Sequence, residues 1–111
     1  MVNIEFHLFP DGRLRLEARG HAGCGVKGND IVCAAVSILM LTAAREAERM
    51  YEKGFLLDVP ETVLREGYAS VTVRPCPQYR QQVRTSFTTV FTGLRLLARQ
   101  YPNAVRVKGK V

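Results

Sequence analysis

The chain has 111 residues, 47% of them hydrophobic and 23% charged, which suits one globular domain over 1–111 and excludes long disorder. Its formal charge of +6 is scattered, with Arg13, Lys27, Arg45, Arg80 and Arg106 far apart, so a solvated basic surface is favoured over direct nucleic-acid binding. Three cysteines cannot all pair within one chain, no secretory prefix precedes the first strand, and the longest apolar run is too short to span a bilayer. A cytoplasmic protein with no membrane association is the expectation.

Val2 to Phe9 alternates, with Val2, Ile4, Phe6 and Leu8 on one face and Asn3, Glu5 and His7 on the other, as in a strand covered on one side. Pro10, Asp11 and Gly12 make a turn, and Arg13 to Arg19 alternates again, so a hairpin is expected. Gly20 to Asn29 loses all periodicity and is rich in glycine, including Gly23, Gly25 and Gly28, which is the composition of a loop. From Asp30 a helix is predicted. Ile31, Ala34, Ala35, Ile38, Leu39 and Thr42 form its apolar face, the charged run REAERMYEK carries it into solvent, and it ends near Gly54.

Phe55 to Val59 reads as a third strand, followed by a polar connection through Gly67, and Tyr68 to Arg74 as a fourth. Gln78 to Tyr101 places Val83, Phe87, Val90, Phe91, Leu94, Leu97, Ala98 and Tyr101 at steps of three and four, an amphipathic helix whose aromatic stripe belongs to the core. Ala104 to Lys108 is a last strand. The order ββαββαβ predicts an α+β fold, a predominantly antiparallel sheet with two helices packed on one face.

Chemistry concentrates between Gly20 and Ser37. Cys33 falls near a helix start, where unpaired N–H groups and the helix dipole favour a thiolate. With Asp30 as N-cap, Cys33 is the third helical residue. His21, at the other end of the glycine loop, is placed to fold back as the base that takes the thiol proton, and free N–H groups at the helix start are available to an oxyanion. Ser37, one turn after Cys33, shares its helix face. The opposing reading is structural: a lone cysteine in an apolar helix is ordinarily a small core residue, and a serine there ordinarily bonds to the preceding turn. The residues alone leave both open. Asp30 has three possible jobs: capping the helix, orienting His21, or repelling the thiolate.

A zinc site joining His21, Cys24, Cys33 and Cys76 matches no common spacing, and the loop glycines do not form a dinucleotide fingerprint. Cys76, between two prolines, reads as an exposed or half-buried loop thiol. No metal or organic cofactor is expected.

The segment Gly20-His21-Ala22, a glycine-containing loop, and then Gly28-Asn29-Asp30-Ile31-Val32-Cys33-Ala34-Ala35-Val36-Ser37 resembles the signature of the bacterial ribosomal-processing cysteine proteases in order and spacing. The resemblance continues through the preceding hairpin, the second helix and the Tyr101-Pro102 close. It implies a cysteine endopeptidase that removes a short N-terminal extension from ribosomal large-subunit protein twenty-seven, with Cys33 as nucleophile, His21 as general base, and Asp30 and Ser37 in support. It also implies a cytoplasmic homodimer whose loop, with Gly23, Gly25 and Gly28, moves to admit the precursor peptide. The alternative from a different class is a non-catalytic module docking on the ribosome through its basic surface.

Overall fold

The computed structural model describes residues 1–21 and 29–109. Strands β1 (Val2–Leu8) and β2 (Leu14–Gly20) form the expected hairpin, in register Ile4 to Ala18 and Phe6 to Leu16. Its turn is held by Asp11, whose carboxylate accepts from the Arg13 backbone N–H at 3.1 Å and from Arg13 Nε at 2.8 Å. Helix α1 (Asn29–Glu52) follows, then β3 (Glu61–Arg65), β4 (Tyr68–Val73), a short 3-10 turn at Pro77–Tyr79, α2 (Arg80–Gln100) and β5 (Val105–Lys108).

The sheet order is β3-β4-β2-β1-β5, antiparallel throughout except where β5 runs parallel to β1. Val2, Ile4, Phe6, Leu14, Leu16, Ala18, Val71 and Val73 share one face and pack on the helices. On α2 the predicted stripe holds: Val83, Phe87, Val90, Phe91 and Leu94 are buried, and Phe91 meets Phe6 edge to face with ring centroids 5.3 Å apart. Gly93 faces α1, where a Cβ would lie 3.0 Å from Leu39 Cδ2, so the helices touch closely there. The opposite sheet face is polar. Arg15 Nε donates to Thr72 Oγ1 at 2.8 Å, the Tyr68 hydroxyl to Glu17 at 2.6 Å, and His7 pairs with Glu5 at 3.0 Å.

The element order and fold class are as predicted, but three expectations need correction. The third strand is Glu61–Arg65, not Phe55 to Val59. A strand forms where its partner is fixed, and the two-residue turn Glu66-Gly67, with Gly67 at φ +74°, sets the register of β3 against β4. The apolar run instead closes the end of the sheet: Leu56 is buried in a single bridge to Pro75, Phe55 stacks on Tyr79, and Leu57 and Val59 stay exposed.

The buried face of α1 is also rotated from the predicted one. Val32, Val36, Met40, Ala43, Ala47 and Met50 are buried, while Ile31 is 64% and Ile38 61% exposed. Nearly every residue from Ile31 to Ala44 is apolar, so periodicity marks no unique face there, and contact with the sheet and α2 selects it. The charged second half does not simply emerge into solvent. Ala47 and Met50 keep it packed, and Glu46 accepts from Ser86 of α2 at 3.0 Å.

Candidate active site

Strand β2 ends at Gly20 with φ +102°, and a Cβ there would collide with the Met1 carbonyl. Only glycine fits that bend. Gly20 N–H donates to the Gly67 carbonyl at 2.9 Å, tying the end of β2 to the β3–β4 turn. His21 comes next. Its carbonyl accepts a bond from the Met1 ammonium, and its exposed imidazole lies over Gly67, with Nε2 only 2.8 Å from the point where a Cβ would sit. The glycine before the histidine and the glycine in the turn thus fix where the imidazole goes.

Cys33 is half-buried on α1 beside the core. Helical side chains tilt toward the N-terminus, so its thiol leans toward the first turn. His21 and Cys33 line one cavity of about 430 Å³, together with Ser37, Met40 and Leu41 along α1 and the segment Leu64 to Ala69 of the hairpin. The structure therefore brings together three of the residues singled out from sequence: His21, Cys33 and Ser37. Asp30 is exposed and does not line this cavity.

Asp30 is also not the N-cap. Helix α1 begins at Asn29, which puts Asp30 inside the first turn and makes Cys33 the fifth helical residue, not the third. In an α-helix the N–H of Cys33 then faces the carbonyl of Asn29, and the N–H groups left without an intrahelical acceptor are those of the preceding turn. Gly23, Cys24, Gly25 and Gly28 lie outside the described residues.

The second cysteine of the described chain stands elsewhere. Cys76 is half-buried, as expected, with its Sγ 3.6 Å from the Gly54 carbonyl oxygen at the far end of α1. It cannot share a metal with His21 and Cys33. Among the described residues the grouping of metal-ligand type is Glu5, His7 and Glu17, on the polar sheet face. No helix of the described residues is long and apolar enough to cross a membrane.

The hairpin wall of the cavity is not marked in the sequence, because Glu61 to Gly67 reads as a polar connection. The signal that could have found it is the Glu66-Gly67 pair flanked by residues able to form a short strand.

The model of the cysteine protease Prp family matches residues 1–106. The chain belongs to this family. Among solved structures, the Prp ribosomal processing protease of S. aureus in complex with a substrate peptide is similar with a TM-score of 0.70 and 18% identity, covering 99% of this chain and 100% of that one. SMU.848 from Streptococcus mutans is similar with a TM-score of 0.69 and 26% identity, covering 98% of this chain and 93% of that one. No curated protein matches. Prp membership makes the chain a cysteine protease, which decides between the enzyme and the non-catalytic module.

Proposed function

We propose that the chain removes an N-terminal extension from ribosomal large-subunit protein twenty-seven, with Cys33 as nucleophile and His21 as its base. The observation that carries this reading is the shared cavity: in a chain of the Prp family, these two side chains line one pocket beside a helix start.

The chemistry follows from their types. His21 accepts the thiol proton, and the Cys33 sulfur forms a bond to the scissile carbonyl carbon. The carbonyl oxygen takes up the negative charge, and N–H groups of the first turn of α1 are the donors nearest to hand. His21 gives the proton to the leaving amine as the C–N bond breaks, leaving an acyl-cysteine. Water then attacks the acyl carbon as His21 takes its proton, and the C–S bond breaks, releasing the new carboxyl terminus and returning the sulfur, which takes back the proton from His21. Ser37 supports the site from one helical turn away. Asp30, exposed in the first turn, acts through its charge at the helix start and not through contact with the cavity.

A homodimer belongs to the same reading. Ile31, Ala34 and Ile38 recur at steps of three and four on the exposed side of α1, and a second copy of the chain would cover them. The mass in solution by sedimentation tests this, with Ile38→Glu expected to yield monomers. The cytoplasm, where ribosomal proteins are made, is the proposed compartment, to be checked by fractionation.

The decisive experiment is mass spectrometry of a peptide carrying the extension, incubated with wild type and with Cys33→Ala. Wild type should give two products and the variant none. Cleavage by Cys33→Ala at the wild-type rate would overturn the assignment.

A further inference from the structure

The outer edge of β3 is a row of unpaired backbone groups, and the hydrogen-bond register identifies them. In an antiparallel pair, residues alternate between those that bond to the neighbour and those that point away, and the residues flanking a two-residue turn bond to each other. Arg65 and Tyr68 flank Glu66-Gly67, so Arg65, Val63 and Glu61 face β4, and Thr62 and Leu64 turn their N–H and C=O outward. The other side of the sheet gives the same answer independently. Gly20 donates to Gly67, so the even residues of β2 bond toward β4; Ala18 then pairs with Ala69, and Tyr68, Ser70 and Thr72 are left to bond β3.

Natural edge strands are usually blunted by proline, lysine, a bulge or a covering loop. Here all five residues of β3 are exposed, its charges are confined to the end residues Glu61 and Arg65 with Pro60 outside the strand, and among the described residues no hydrogen bond reaches the outer groups of Thr62 or Leu64. The strand also runs into the active site: Leu64, Arg65, Glu66 and Gly67 line the cavity that holds His21 and Cys33. Leu64 lies on the helix-facing side, in line with Ala69 and Ala18, and its exposed side chain and that of Leu41 border the same opening.

We propose that an extended peptide adds to β3 as a sixth strand, hydrogen-bonded to Thr62 and Leu64, and is carried along that edge to Cys33. The occupant is polypeptide main chain because the free groups alternate donors and acceptors at strand spacing, which an extended peptide satisfies in register. Alternate side chains of the peptide then fall on the helix side, over Leu64 and Leu41, and the others on the polar side near Val63 and Arg65. This inference rests on the protease reading of the cavity for its destination, but the strand pairing itself is read from the edge.

The test separates the two. Amide hydrogen exchange is followed on Cys33→Ala, which keeps the extension peptide intact, with and without that peptide. Slowed exchange at Thr62 and Leu64, with Val63 unchanged, is expected. A series of the same peptide methylated at one backbone nitrogen at a time should lose affinity by about tenfold at every second position of the bound stretch and little between them. Thr62→Pro, which removes an outward donor without touching a bond to β4, should raise KM by a similar factor of about ten with kcat and the rate of Cys33 alkylation by iodoacetamide unchanged. Binding without protection at Thr62 and Leu64, or a methyl scan with no alternation, overturns the strand addition even if wild type cleaves. Protection with alternation but no cleavage by wild type keeps the strand addition and overturns the protease substrate instead. No binding at all overturns the strand addition, and no cleavage by wild type as well overturns both.

Discussion

His21 Nε2 stands 2.8 Å from the position a Gly67 Cβ would take, so the imidazole and the turn of the β3–β4 hairpin occupy adjoining space with no room for one more carbon. Gly67→Ala should therefore displace His21, and a misplacement of about 1 Å in a catalytic group can cost on the order of a hundredfold in rate. Positive φ adds a folding cost of about 1 kcal/mol. Gly54→Ala is the control, since Gly54 has φ +78° and open space around it. Both variants should melt earlier by similar amounts, but only Gly67→Ala should lose peptide cleavage.

Ser37 shares the cavity with Cys33 but sits a turn away from it. A supporting hydroxyl contributes about one hydrogen bond, so Ser37→Ala should lower kcat/KM by roughly tenfold, against complete loss in Cys33→Ala. Steady-state kinetics on the extension peptide distinguishes the two magnitudes.

Phe91 is fully buried at the meeting of α2 and β1. Truncation to alanine removes its edge-to-face contact with Phe6 and leaves a cavity, so Phe91→Ala should cost about 3–5 kcal/mol in urea unfolding. Phe91→Leu, which keeps most of the volume, should cost clearly less.

Glu46 links the helices. The Arg49 guanidinium bonded to it, with the Ser86 hydroxyl as a further donor, holds its carboxyl below the ordinary glutamate value of 4.5, against the opposing effect of burial. A carboxylate with a lowered folded pKa adds stability that is complete above the unfolded value and disappears as pH falls through the folded one. The Arg49 side of the pair is open to solvent, so screening keeps the contribution small. Wild type should exceed Glu46→Gln in melting temperature at neutral pH, and the gap should close on acidification below pH 4.5.

Where one side of an element differs chemically from the other, the sequence already reveals its placement. Ile4 and Phe6 against Glu5 and His7, or Phe87 and Phe91 against Arg84 and Arg95, can be oriented by alternation or helical spacing alone. Helix α1 resists such reading because Ile31 and Val32 are chemically alike, and only the neighbours tell the exposed one from the buried one. Strand β3 resists it for the converse reason. An exposed edge strand has no buried side to mark, and its identity comes from pairing with β4 rather than from its own composition. At the site, the histidine and cysteine were legible as residue types at a spacing. The hairpin wall that gives them a common cavity was not, since it comes from a distant part of the chain.

That wall ties the site to contacts remote from it. Gly67 reaches His21 only after β4 has paired with β2 across the whole intervening helix, a contact between segments far apart in sequence and so among the slower ones to form. The cavity takes one wall from α1 and the other from Leu64 to Ala69, so neither segment forms it alone. The cavity holding His21 and Cys33 is thus a property of the completed sheet, and any change that unpairs β4 from β2 removes a wall from it without touching either residue.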